Sequence, residues 1–458
     1  VPRQPGHRGR HGVGRVAHHL VWAPVGATVL GVVPTAAAAE DTAEQEPSTR
    51  GYRWAVIALE LVPAVTHLAR LLTTGRQWQF ALYEDDAYYY LGVARSVAEG
   101  HGSTFGGLLE TNGYHPLWML GLVPLAAVFS DPNHLLVGLA VLQGALWALS
   151  VREALRIGRL VGCWPCAAGA VAVYGVLTVL TGHLAFNGME SALLLPLFLV
   201  LVRVGLEADD DPTDDLRLGV VLALVCLARL DAVAAAVPLG LVLLFRSPLS
   251  RPRRVRRALA LAVPPGVALG GYLLVNATVF GSAMPVSGRA KSLGAPFVNL
   301  EPLTQFARAG DVAGRSLWFG VAASALVVGA WCTRAWRAER RLGRLMACTL
   351  ALVVGEALLL TYLMFGTSYR VWPWYHYQVA LFAFLAAIVV ARAAVDRFGP
   401  VVPQVCLAAA AVFLVVQVGV VFRPEDPAYA ASVIGASSAR SGARSITMRF
   451  GSFSLGSG

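Results

Sequence analysis

Lysine is almost missing from this chain: one residue, Lys291, stands beside 36 arginines among 458 residues. Charge of either sign is scarce, at 14%, where a soluble domain carries about 25%. A soluble globular protein of this length is therefore excluded. Cysteine is limited to six residues: Cys163, Cys166, Cys226, Cys348 and Cys406 fall in or at the ends of apolar runs, and Cys332 ends another. No disulfide framework is expected. Cys163 and Cys166 form a CWPC string, but with no second pair and no βαβ pattern around it the string reads as structural rather than as a redox or zinc site. The net charge of +10 does not point to nucleic acid, because the basic residues sit in short clusters between apolar runs, where they set topology.

What the chain has in excess is hydrophobicity, at 56% of residues and a mean hydropathy of +0.61. Runs of roughly 15 to 24 apolar residues recur, close to the ~20 a helix needs to cross ~30 Å of hydrocarbon. The expected fold is all-α, a polytopic helical membrane protein with about 11 to 12 transmembrane helices. Spans are expected at 54–72, 135–150, 161–181, 189–206, 216–230, 232–245, 258–280, 317–331, 345–365, 374–391 and 401–422. The run 116–129 is short for a full crossing and reads as re-entrant, tilted or a short span. The preference for Arg, Ala, Val and Gly suggests a GC-rich bacterial genome, hence a multi-pass protein of the bacterial plasma membrane.

Orientation follows from arginine in short loops. Arg152, Arg156 and Arg159; Arg246, Arg251, Arg253, Arg254, Arg256 and Arg257; Arg334, Arg337, Arg340, Arg341 and Arg344; and Arg392 with Arg397 mark four cytoplasmic loops. The loops 75–115, 182–188, 229–231, 281–316 and 366–373 then face outward. Residues 1–50 mimic a secretory signal, with a basic head, a short apolar core and small residues after it. A crossing there would invert the arginine bias downstream, so 1–50 is expected to be a non-spanning extension, compatible with an over-called start. The transmembrane domain is 51–422, and 423–458, rich in Ser, Gly and Ala, is expected to be disordered or truncated.

The unusual polar strings collect on the outward side. Glu84, Asp85 and Asp86 precede a stretch with Leu91, Ala94 and Val97 on one helical face and Arg95 opposite, expected to be an amphipathic helix along the membrane surface. The carboxylates suit its N-terminus. The other strings are Thr111 to Trp118, Asn187 to Ser191, Arg229 to Asp231, a loop holding Arg289 and Lys291, and Ser368 to Gln378. Each has a plain alternative. The acids suit a solvated loop, Arg229 and Asp231 a simple pair, and Arg289, Lys291 and Arg370 ordinary loop cations. Trp372, Trp374, Tyr375 and Tyr377 suit an interfacial aromatic belt. Glu60, His67 and Glu356 lie within spans and are expected to be functional or paired.

In their order, the strings EDDAYYYLGVARSVAEGHGSTFGG, TNGYHPLW, GME, R-x-D and GSAMPVSGRAK resemble those of multi-span glycosyltransferases of the GT-C type. The similarity is nearest to the bacterial group that includes the mycobacterial arabinofuranosyltransferases, and covers about residues 54–422. Here Leu230 stands where relatives often have Pro, and many relatives carry a further extracytoplasmic region beyond about Arg423. The resemblance implies transfer of a sugar from a polyprenyl-phosphate donor to an acceptor hydroxyl of a glycan, lipid or protein, outside the cell, for the cell envelope. It implies Asp85 as general base, with Asp86 or Glu84 assisting, and Lys291, Arg370 and Arg289 on the donor phosphate. Tyr88, Arg95, Asn112, His115, Glu190, Arg229, Asp231, Tyr375 and His376 are implied as supporting residues. A divalent cation, Mg or Mn, would be held by Asp85 and Asp86 if one is used. The alternatives from other classes are a transporter or flippase for a lipid-linked sugar and a non-catalytic scaffold.

Overall fold

The computed structural model describes residues 49–73, 82–180, 185–302, 304, 339–368 and 373–421. The extension, the tail, the expected span 317–331, Cys332, Arg370 and Trp372 lie outside the described residues. The described elements are helical: α1 (Thr49–Thr73), α2 (Asp85–Ala98), α3 (Pro116–Val128), α4 (Pro132–Leu160), α5 (Trp164–Leu180), α6 (Ser191–Glu207), α7 (Pro212–Ala228), a 3-10 turn (Leu230–Ala232), α8 (Val233–Leu244), α9 (Arg251–Val279), α10 (Val286–Ser292), α11 (Arg340–Gly366), a second 3-10 turn (Pro373–His376), α12 (Tyr377–Phe398) and α13 (Val401–Val421).

Local sequence sets these boundaries. Asp131 accepts from the amides of Asn133 and His134 at 2.9 and 3.0 Å, and Pro132 opens the first turn of α4, where its missing N–H costs nothing. Asp211 and Pro212 repeat the device at α7. Among the described residues, six helices, α1, α4, α9, α11, α12 and α13, are long and apolar enough to cross a membrane. The protein is a helical, multi-pass membrane protein. α3, with 13 residues, reaches only about 20 Å, which accounts for the ambiguity of that segment.

The helices pack through small residues, as expected where lipid supplies no hydrophobic drive between them. A Cβ on Gly219 of α7 would fall 2.0 Å from the Ala260 carbonyl of α9, and one on Gly355 of α11 would fall 2.8 Å from the Ala235 Cα of α8. α12 is the most enclosed span, whereas α9 and α13 turn most of their surface outward.

The arginines of the short loops do more than set topology. Arg152 pairs with Glu60 at 2.6 and 3.1 Å, which gives this intramembrane acid its partner. Arg257 is fully buried, bound to Asp210 at 2.7 Å, Asp215 at 3.0 Å and Ser247 at 3.0 Å. Arg203 bridges Glu153 and Glu207. Burying Arg257 and the carboxylates of Glu60 and Glu153 is tolerable only because each meets an opposite charge.

Three expectations are corrected. Cys163 and Cys166 are joined by a disulfide at the start of α5. The apolar face of α2 is not turned to lipid: Ala87, Tyr90, Leu91, Val93 and Ala94 are buried, and α2 packs on α3. Trp374, Tyr375 and Tyr377 are buried in the protein, so they form no interfacial belt.

Candidate functional site

The site is assembled from six separate strings at one end of the bundle. The string before α6 provides the hinge between two of them. Asn187 accepts from the Glu84 amide through its carbonyl at 3.2 Å, while its side chain accepts from the Met189 amide at 2.9 Å and the Ser191 hydroxyl at 3.1 Å. Gly188 has φ +80°, and a Cβ there would lie 2.5 Å from the Ala87 Cβ. Only glycine lets this loop touch the first turn of α2. Asp85 and Asp86 are thereby fixed at the helix start, where the dipole favours negative charge.

Glu190, nearly inaccessible, accepts from Arg229 Nη1 at 2.6 Å. Arg229 also holds Asp231 by two bonds, Nε to Oδ1 at 2.7 Å and Nη2 to Oδ2 at 3.0 Å. The expected pairing of Arg229 with Asp231 is thus present, but it is part of a buried triad. The planar guanidinium suits such forked contacts better than an ammonium would. It also lies 4.7 Å above the Tyr375 ring and 5.1 Å above that of Tyr377.

His115 completes this polar floor. Its Nδ1 accepts from the Leu230 amide at 3.3 Å, which places the proton of the neutral ring on Nε2, facing Glu190 Oε1 at 3.6 Å. Burial lowers the His115 pKa, against the pull of Glu190, and favours this neutral form. Burial also works to raise the Asp231 pKa, but Arg229 more than offsets it and holds the carboxyl below its ordinary value.

Lys291, at the end of α10, donates to the Tyr375 hydroxyl and lies 5.0 Å from that ring's centre. Lys291 and Arg229 thus meet on one aromatic ring. α10 itself is anchored by Asn112, whose buried Oδ1 accepts from the Val286 amide at 2.8 Å. Asp86, in the first turn of α2, is coupled electrostatically to this cluster. Burial and then the adjacent Asp85 charge raise its pKa, while Lys291 and Arg229 pull it down. Glu84 is pushed up to about 7, by burial first and then by Asp85 and Asp86.

Not every expected residue joins the cluster. Arg95 pairs with Glu99 at 2.8 Å, three turns along α2 from the acids. Tyr88 packs edge-on to Tyr83, whose hydroxyl meets His67 Nε2 at 3.2 Å. Arg289 is exposed on α10. Arg370 and the side chain of His376 lie outside the described residues. Tyr90 was missed: fully enclosed, its hydroxyl accepts from the His115 amide at 3.3 Å, and only its place on the inner face of α2 could have signalled it.

Among the described residues no three His, Cys, Asp or Glu side chains converge as metal ligands. No protein-family model, curated protein or solved structure matches this chain.

Proposed function

We propose that the protein is a membrane glycosyltransferase of GT-C type, with about 11 to 12 spans, that moves a sugar from a polyprenyl-phosphate donor to an acceptor hydroxyl. It works on the extracytoplasmic face of a bacterial plasma membrane, in cell-envelope glycan synthesis or modification. The observation that carries this reading is that Lys291 and Arg229 meet on the Tyr375 ring at one end of an apolar helical bundle, where both act electrostatically on Asp86. Asp85 stands beside it as the second acid of the pair.

The reaction breaks the bond from the sugar's anomeric carbon to the phosphate oxygen and forms one to the acceptor oxygen. The acceptor's proton passes to a carboxylate of the Asp85–Asp86 pair, with Asp86 the better placed because it lies in the field of Lys291. Negative charge grows on the departing polyprenyl phosphate, and Lys291 stabilises it. Arg229 is already matched by Glu190 and Asp231 and acts as a fixed support beneath Tyr375. A transporter would need intramembrane ionisable groups free to carry its substrate, and the candidates are Glu60, His67 and Glu356. Two of these are engaged locally, Glu60 with Arg152 and His67 with Tyr83.

The test is incubation of purified protein with a panel of polyprenyl-phosphate sugars and candidate acceptors, scored for release of polyprenyl phosphate. Failure of every donor, in protein shown to be folded, would count against the reading.

A further inference from the structure

We propose that the two loops flanking the site are seated in the headgroup layer of the bilayer, so that the site opens at the level of the lipid phosphates. The first loop, residues 103–111, is tightly built. Thr111 donates its amide to the Ser103 carbonyl at 2.7 Å, Ser103 Oγ donates back to the Thr111 carbonyl at 2.6 Å, and the Gly107 amide reaches Thr104 Oγ1 at 3.0 Å. Phe105 fastens it to α2, its ring 5.3 Å from that of Tyr89 and filling the space over Gly92. At the tip of this fixed turn Leu108 is 91% exposed and Leu109 82%.

The second loop carries Met284, Val286, Leu293 and Phe297 outward, the last 93% exposed. The Asn112–Val286 hydrogen bond ties the two loops together around the cluster. Two ordered loops that hold large apolar side chains away from the protein need an apolar neighbour.

Continuity and charge identify that neighbour as lipid. Leu120 of α3, Leu274, Val275 and Val279 of α9, and Leu358 and Phe365 of α11 are exposed along membrane-type helices. Those surfaces run directly into the loops: Met284 follows the end of α9 by five residues, and the Asn299 amide bonds the Met364 carbonyl of α11 at 2.7 Å. Arg289, exposed, and Lys291 stand among the apolar residues of the second loop, the mixture that suits an apolar layer edged with phosphate. The inference concerns where the site lies and does not depend on the reaction.

The test uses the full chain in nanodiscs of phosphatidylcholine and phosphatidylglycerol, and again in native membranes. The photo-crosslinker benzoylphenylalanine is placed singly at Leu108 and at Phe297, with exposed His101, which precedes the first loop, as a polar control. The expected result is phospholipid adducts at both apolar positions, at several-fold the His101 yield. Lipid yields equal to His101, or adducts mainly to another protein in native membranes, overturn the proposal. The two substitutions sit on separate loops, so misfolding of one variant, detected by size exclusion, leaves the other as the test.

Discussion

Lys291 donates to the hydroxyl of Tyr375, the residue whose ring also carries Arg229 at 4.7 Å. One tyrosine thus fixes the separation of two cations that come from different helical segments. One of them, Arg229, is neutralised by Glu190 and Asp231, and the charge of Lys291 acts on Asp86.

Lys291→Gln should therefore weaken donor binding by about 2 to 5 kcal/mol, the range for losing a buried charged partner. Tyr375→Phe keeps the ring and removes only the hydroxyl, so its effect should be about 1 kcal/mol. Titration of each purified variant with donor checks both. Equal, negligible losses would return Lys291 to the role of an ordinary loop cation.

Asp86→Asn preserves size and removes proton-accepting capacity, and should lower turnover by about 10²- to 10⁴-fold. Asp85→Asn should cost less, because the Asp85 carboxylate turns back to accept from the Asp86 amide at 2.9 Å. Steady-state rates decide between them, and the reverse order would move the base to Asp85.

The pH response of Glu84 has a definite sign. Its folded pKa of about 7 exceeds its ordinary 4.5, so folding favours the protonated form. This contribution to stability is complete below about pH 4.5 and is lost as pH rises through 7. Glu84→Gln should raise the apparent melting temperature at pH 8 and change it little at pH 4.5. A constant difference across that range would show that charge is not the cause.

Glu190→Ala should destabilise the protein by about 3 to 5 kcal/mol, since it strips a partner from a buried guanidinium. Gly188→Ala adds a Cβ against Ala87 at a positive φ and should cost about 1 to 3 kcal/mol. Thermal unfolding in detergent measures both. Wild-type melting of Gly188→Ala would mean that α2 shifts without cost.

Much of this was legible in the sequence, for identifiable reasons. Apolar runs mark helices because their length and hydropathy are local properties, and α4, α9 and α11 to α13 fall where the runs predict. The strings of Glu190 and of Arg229 with Asp231 stood out because charge beside a span is rare. Their union into one triad was not visible, since it depends on the packing of α6 against α7. Tyr375 and Tyr377 read as a belt because a sequence cannot say whether an interfacial ring faces lipid or a guanidinium. Asn112 was legible as a polar residue, but its partner, the Val286 amide 174 residues away, carries no side-chain signal at all.

The most direct test of the central claim compares wild type and Asp86→Asn, purified and folded, with a polyprenyl-phosphate sugar that wild type accepts. The quantity measured is polyprenyl phosphate formed in a single turnover with acceptor present. The account predicts stoichiometric release by wild type and, in the same time, almost none by Asp86→Asn, with donor binding retained by both. Equal release by the two proteins would contradict it.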